Sequence, residues 1–368
     1  MKINNRAIGT GNEVYIIAEM SANHGGNLAT ARKIIHAAKE AGADAIKLQT
    51  YTADTITLDC DNEHFQIEQG TVWDGQTLHQ LYQQACTPWE WHAELKQLAD
   101  KLEIDFFSSP FDDTAVEYLQ ELDVPAYKIA SFEINDVGLL KKVAATGRPV
   151  LFSTGMATDL EIELAIETLE QAGAKNNIAM LKCTSAYPAD PADMNLSTIS
   201  DMRSRFQIPV GLSDHSMGIE VPVAATALGA TIIEKHLTLD RSIKTADSHF
   251  SLEPHQFAEM VAAVRNTSAA LGKVHYGPTE GDANNQNFRR SLFVVKEVKS
   301  GERFSSENVR SIRPGVGLAP KHLDQVIGKT AIQTISRGTP LAWAHIQTQV
   351  PSPNTNRRSN SKLEAGNL

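Results

Sequence analysis

The stretch Val210-Gly211-Leu212-Ser213-Asp214-His215, then the helical pattern 218–228, then Thr231-Ile232-Ile233-Glu234-Lys235-His236, decides the fold. Each half is a short apolar run suited to a buried strand, and each ends in polar, reactive side chains. A strand, an amphipathic helix and a second strand in series make a parallel unit. Reading outward toward the N-terminus, the unit repeats. Strand-like runs fall at 14–18, 45–49, 105–108, 126–130, 150–153 and 179–182, ahead of 210–213 and 231–235. Helical patterns such as 28–41, 88–102, 113–121 and 160–172 lie between them. Eight β-then-α units predict an α/β fold, a closed TIM (β/α)8 barrel, with an open doubly wound sheet as the plainer alternative.

The strand ends share a feature that a structural loop would not require. They carry Glu19-Met20-Ser21-Ala22-Asn23-His24, Lys47-Leu48-Gln49-Thr50, Ser108-Ser109-Pro110 and Lys128-Ile129-Ala130-Ser131-Phe132-Glu133. Then come Ser153-Thr154-Gly155, Lys182-Cys183-Thr184-Ser185, Ser213-Asp214-His215-Ser216 and Glu234-Lys235-His236. A closed barrel brings all eight to one face, where enzymes of this fold keep their active sites.

The rest of the chain is organised around that barrel, expected over residues 1–280. Residues 51–88 form a long insertion between the second and third strands, with Trp73-Asp74-Gly75 at a turn, expected to fold over the barrel mouth or to contact a partner subunit; such loops are usually functional or interface-forming. Residues 281–287 read as a linker, and 288–349 as a small loop-rich domain with strand-like runs at 292–298 and 331–335. The Ser/Asn-rich stretch 350–368 reads as a disordered tail.

Bulk properties narrow the function classes. A net charge of −10 argues against nucleic acid or an anionic membrane as the main partner. No apolar run approaches the roughly 20 residues that span a bilayer, and the first fourteen residues lack the apolar core of a signal peptide. Cys60, Cys86 and Cys183 are odd in number and lack metal-ligand spacing, which suits a reducing cytoplasm.

His215 and His236 end neighbouring strands, so their imidazoles can share one divalent ion; either alone could equally be a hydrogen-bonded structural group. Lys47, Lys128, Ser131, Ser153, Ser185 and Ser213 converge from different strands as a cradle for phosphate and carboxylate. Glu19 and Glu133 could shuttle protons or position water, or serve as the salt-bridge partners of Lys47 and Lys128. Asp247, beyond the eighth strand, could bind sugar hydroxyls. Cys183 reads as a small buried residue, since no pattern marks it as a nucleophile.

Together these motifs resemble the sialic acid synthase family. The resemblance is carried by Ala18–His24, Lys47–Thr52, Lys128–Glu133, Ser153–Met156, Gly211–His215 and Glu234–His236. Met20-Ser21-Ala22, Thr87–His92 and Lys182–Pro188 are most similar to its pseudaminic acid branch. The resemblance implies condensation of phosphoenolpyruvate with an amino-sugar aldehyde, 2,4-diacetamido-2,4,6-trideoxy-L-altrose, with release of phosphate by C–O cleavage. It implies a divalent ion, commonly Mn²⁺, with Mg²⁺ or Co²⁺ as alternatives. It also implies an antifreeze-like (SAF, β-clip) second domain, swapped within a homodimer so that one subunit's small domain covers the other's barrel.

Carried over by position, His215 and His236 hold the metal, and Lys47, Lys128, Ser131, Ser153, Ser185 and Ser213 bind phosphoenolpyruvate. Glu19, Gln49, Tyr187 and Asp247 face the sugar, Glu133 orients the attacking water, and Arg313 of the small domain reaches the sugar's N-acyl group. One segment departs from the branch: Ser242-Ile243-Lys244-Thr245-Ala246 stands where a glycine-rich turn is usual. That leaves N-acetylneuraminate and legionaminate synthesis as alternatives for the sugar. A different class, a Schiff-base aldolase, would use Lys182 at the end of the sixth strand.

Overall fold

The computed structural model describes residues 1–68, 70 and 73–347; the tail expected at 350–368 lies outside the described residues. Two compact units divide the chain after Gly272.

The first unit is a closed barrel of eight parallel strands. They are β1 (Tyr15–Glu19), β2 (Ala45–Thr50), β3 (Asp105–Pro110), β4 (Tyr127–Ile129), β5 (Val150–Ser153), β6 (Ile178–Cys183), β7 (Val210–Asp214) and β8 (Ile232–His236). They pair in chain order, and β8 closes on β1. Each expected strand is met to within two residues at either end. The strands are buried on both faces, which is why they read as apolar runs rather than alternating ones. Ile16, Ile46, Phe106, Leu151, Phe152, Met180 and Leu212 are among the core residues with no appreciable exposure.

The helices α1 (Leu28–Glu40), α2 (Trp89–Lys101), α3 (Asp113–Glu121), α4 (Val137–Ala144), α5 (Asp159–Leu169), α6 (Thr198–Phe206), α7 (Glu220–Ala227) and α8 (Pro254–Leu271) follow strands one to eight in turn. Their starts are set by local chemistry. Asn27, Asp112, Asp136 and Thr158 cap α1, α3, α4 and α5 by accepting hydrogen bonds from first-turn amides. The helix expected over 160–172 is met: α5 widens into a π-helical turn, Glu170–Ala174, and helical backbone ends at Gly173, which adopts φ 123°.

The insertion after β2 folds over the barrel mouth. It holds two short helices, Ala53–Ile56 and Leu78–Ala85. Between them, the Ile67 amide donates to Gln76 O (3.0 Å) and the Leu78 amide to Phe65 O (2.8 Å). At its tip Trp73 Nε1–H donates to Ala246 O (3.3 Å), in the loop after β8.

The second unit begins at Lys273, and the expected linker falls in an exposed 3-10 segment, Glu280–Phe288. Antiparallel strands β9 (Ser291–Val294) and β10 (Val309–Ile312) lead into a small core of Leu292, Val294, Val298, Phe304, Val309, Val326 and Leu341. The run 331–335 is not a strand. Its ends make isolated bridges to different partners, Ala331 to Ile346 and Ile335 to Val298. Among the described residues no helix is long and apolar enough to cross a membrane.

Candidate active site

A cavity of about 500 Å³ opens at the C-terminal rim of the barrel. Its floor is set by strand register. Glu19 and Lys47 are direct partners across β1 and β2, and Lys47 Nζ lies 2.6 Å from Glu19 Oε2. The same ammonium is 3.2 Å from Glu234 Oε1 on β8 and donates to Ser109 Oγ (3.3 Å). Ser213 Oγ on β7 donates to Glu234 (3.2 Å). Lys128 on β4 donates to Ser153 Oγ (2.6 Å) and Ile129 O (2.9 Å). Both lysines are buried.

Burial and charge set the protonation of this cluster. Desolvation lifts Glu19 to about 7 against the pull of Lys47, and it lifts Glu133 to about 7 against Lys128. Burial also raises Asp247. Glu234 goes the other way: two lysines outweigh its burial and hold it below the ordinary carboxylate range. Glu19 and Glu234 share Lys47, but Lys128 acts more strongly on Glu234 than on Glu19, which favours the ionised form of Glu234. Burial lowers Lys128, whereas Glu19 and Glu234 more than offset the burial of Lys47 and raise it.

The two imidazoles stand side by side, ring centroids 5.3 Å apart, with Phe250 packed against both. His215 Nδ1 lies 3.0 Å from Thr184 O; a carbonyl only accepts, so the proton is on Nδ1 and Nε2 is left free. His236 Nδ1 is buried and makes no hydrogen bond among the described residues, with Asp247 Oδ2 3.9 Å away. Burial and the neighbouring His215 push His236 well below the ordinary histidine range, so its imidazole is neutral, as a metal ligand must be.

Four carboxyl groups (Glu19, Glu133, Glu234, Asp247) gather here with two ammonium groups, and an added divalent cation would favour the ionised form of the three that burial raises. No three His, Cys, Asp or Glu side chains among the described residues are grouped to hold an ion by themselves. The residues therefore fit an open site, with two protein nitrogens and the remaining positions left to water and substrate.

The other expected residues fall as follows. Gln49, Ser131, Glu133, Tyr187 and Asp247 line the cavity with the lysines, Ser153, Ser213 and both histidines. Glu19 is fully buried beneath Lys47. Ser185 does not line the cavity; its hydroxyl and that of Ser131 crowd the Cα of Gly155, where any Cβ would collide with both. Tyr187 packs on His215, centroids 4.5 Å apart. Arg313 lies in the second unit, exposed, with no hydrogen bond or ion pair among the described residues.

Cys183 is buried, as expected, yet it lines the cavity 3.9 Å from His215 Nδ1. Burial would raise its thiol, but His215, Ser131 and Lys128 together bring it down to about 7. Lys182 donates to Cys183 O (2.9 Å) and Thr184 Oγ1 (3.2 Å), and does not line the cavity, which removes support for a Schiff base there. The loop at 242–246 is exposed at Ser242, Ile243 and Lys244 and tied down at Thr245, whose Oγ1–H donates to Asn23 Oδ1 (2.8 Å).

Two contributors escape a reading by strand ends. Glu234 was passed over as part of a polar run, although strand alternation from His236 places it on the same inward face. The insertion lies over the mouth, one of the two placements expected of it, but no local signal picks out Tyr51, Trp73, Leu78, Leu81 and Tyr82 as the side chains that line the cavity.

An eight-stranded parallel barrel with buried lysines, carboxylates and paired imidazoles at its C-terminal rim has the form of a TIM-barrel enzyme. The chain belongs to the NeuB family, whose model matches residues 34–276, and a SAF domain matches residues 289–347. The pseudaminic acid synthase of Campylobacter jejuni subsp. jejuni serotype O:2 is 47% identical, over 92% of this chain and 98% of its own. The N,N'-diacetyllegionaminic acid synthase of Legionella pneumophila is 34% identical, over 90% of this chain and 94% of its own. Among solved structures, the N-acetylneuraminic acid synthetase of Leptospira borgpetersenii in complex with citrate superposes with a TM-score of 0.69 at 35% identity, covering 77% of this chain and 94% of that one. The expected family, and its barrel-plus-SAF architecture, therefore stand.

Proposed function

We propose that the chain is a transferase that condenses phosphoenolpyruvate with 2,4-diacetamido-2,4,6-trideoxy-L-altrose and water, giving pseudaminic acid and inorganic phosphate. One observation carries this reading. Lys47 and Lys128 are buried cations that converge on one cavity with Ser131, Ser153 and Ser213, beside the paired imidazoles of His215 and His236. The higher identity to a pseudaminic acid synthase than to a legionaminic acid synthase supports the sugar.

In this reading the ammonium groups and hydroxyls hold the phosphate and carboxylate of phosphoenolpyruvate, with Ser185 steadying Ser131 behind them. Carbon C3 of the enol bonds to the sugar aldehyde carbon, and the aldehyde oxygen takes a proton. Water then adds at C2, and Glu133, poised near neutrality, takes a proton from it. Collapse of that adduct breaks the C2–O bond and releases phosphate. Gln49, Tyr187 and Asp247 orient the sugar, and Glu19, buried and outside the cavity lining, holds Lys47 in place. His215 and His236 would hold a divalent ion, Mn²⁺ by preference over Mg²⁺ or Co²⁺, which supplies Lewis-acid polarisation of the aldehyde.

The working form is a homodimer in the cytoplasm, in which Arg313 of one subunit reaches the N-acyl group of sugar held by the other. The exposed, unengaged guanidinium supports its part in this, and the three unpaired cysteines suit the compartment. Phosphate release should occur with the altrose sugar and be far slower with N-acetylmannosamine. Faster turnover of a mannose-derived or legionaminate-type precursor would overturn the sugar assignment. Retention of bridging ¹⁸O in the sugar product, rather than in phosphate, would overturn C–O cleavage.

A further inference from the structure

The cavity has two unlike walls. One is the ring of lysines, carboxylates and histidines. The other belongs to the insertion, which brings His64 and Gln66 (its Nε2 engaged with Asp61 O) together with the helix Leu78–Ala85, whose Leu78, Leu81, Tyr82 and Ala85 stand at i, i+3, i+4 and i+7 and so share one face. All four line the cavity, and none is buried in the protein core. An apolar stripe of this kind ordinarily packs onto a core. Here it faces a space continuous with the catalytic groups, and Ile56 and Ile67 extend it.

The wall is held firmly. Thr77 and Gln80 cap the helix reciprocally, and the Gln66–Thr77 bridge fixes its start. Trp73 ties the insertion across the mouth to Ala246, beside Asp247. Tyr82 stacks edge-on with Tyr51 at 5.7 Å, and the charge of Glu133 is close enough to raise its phenol further above the level set by burial.

We infer that this stripe is the specificity wall of the site and receives the deoxygenated end of the sugar, its C6 methyl group. The inference rests on the function proposed above and names a feature of the substrate that the polar ring cannot read. The aldehyde end must meet the enol at the ring, which directs the far end of the chain outward, toward the leucines. Leu78, Leu81 and Ala85 offer a hydroxyl no side-chain hydrogen-bond partner, whereas a methyl group gains by leaving water. A hydrophobic pocket of this kind discriminates by about 10- to 200-fold rather than absolutely.

The test compares kcat/KM for 2,4-diacetamido-2,4,6-trideoxy-L-altrose and its 6-hydroxy counterpart, in the full-length protein and in Leu81→Asn and Leu78→Gln. The unaltered protein should prefer the 6-deoxy sugar by about 10- to 200-fold. Each variant should lose most of that preference while its KM for phosphoenolpyruvate stays within about twofold, since neither leucine touches the anion cradle. Equal turnover of the two sugars by the unaltered protein would overturn the inference. So would a preference unchanged in both variants; a changed sedimentation coefficient alongside it would assign the stripe to a second copy of the chain. The comparison in the unaltered protein decides the matter even if a variant does not fold. Phosphate release with neither altrose sugar would instead sink the reaction proposed above, a result distinct from turnover of both at equal efficiency.

Discussion

Lys47 Nζ sits between two acids, 2.6 Å from Glu19 Oε2 on β1 and 3.2 Å from Glu234 Oε1 on β8. The single cation therefore holds together carboxylates from the two strands that close the barrel. Removing one member of a buried ion cluster leaves the others uncompensated. Lys47→Met should cost about 3–5 kcal/mol of unfolding stability at pH 8 by denaturant titration. The deficit should shrink at pH 5, where Glu19 and Glu234 can take up protons instead of remaining as unpaired charges. A deficit independent of pH would mean that packing, not charge, accounts for the loss.

Glu133 gives a second pH signature, with the sign set by its raised pKa. Its carboxyl titrates near 7 in the folded protein and near 4.5 when unfolded, because burial disfavours the ion. The folded state therefore holds the extra proton between those values, and this residue's contribution to stability falls as pH rises from about 4.5 to 7. Glu133→Gln should be free of that fall, gaining on the unaltered protein by at most about 3 kcal/mol across the window. Its turnover should drop at every pH, if the carboxylate takes the proton of the attacking water. Parallel stability–pH curves for the two proteins would contradict the assignment.

The imidazole pair predicts a shared fate for metal and activity. His236→Ala, like exhaustive chelation of the unaltered protein, should remove bound divalent ion from the dialysed protein. Turnover should fall by several kcal/mol of transition-state stabilisation, on the order of a thousandfold or more. Mn²⁺ should restore the chelated protein but not the variant. Full activity of metal-free His236→Ala would take the ion out of the reaction.

The barrel was readable in the sequence because its strands are buried on both faces and end abruptly in polar residues. The runs at 210–213 and 231–235 show both features. Most inward side chains followed once those ends were located. What escaped needed either strict alternation or long-range packing. In Glu234-Lys235-His236, alternation points Glu234 and His236 inward, while Lys235 turns away to donate to Ser216 O (2.6 Å). The same rule separates Cys183 from Lys182. By contrast, Trp73 meets Tyr187 and Ala246 only because the chain returns after the sixth and the eighth strands, contacts no local pattern encodes. The run 331–335 misled for a related reason: its β-propensity is real, but its two ends find different partners.

Arg313 offers the sharpest test of the proposed dimer. It lies in Ile312-Arg313-Pro314-Gly315 of the second unit, exposed, with no hydrogen bond or ion pair among the described residues. A surface arginine of that kind contributes little to stability. A planar donor fork offered to an acyl carbonyl contributes to substrate use instead. Arg313→Ala should therefore melt like the unaltered protein and bind phosphoenolpyruvate nearly normally, yet use the sugar poorly. Mixing it with Lys47→Ala separates the two subunits' contributions. If the arginine serves the partner's barrel, a mixed dimer contains one site with an intact Lys47 and an intact Arg313. Activity should then recover toward about half that expected of the same number of unaltered dimers. Verified mixed dimers that remain inactive would show that Arg313 acts on its own subunit or not on the sugar at all.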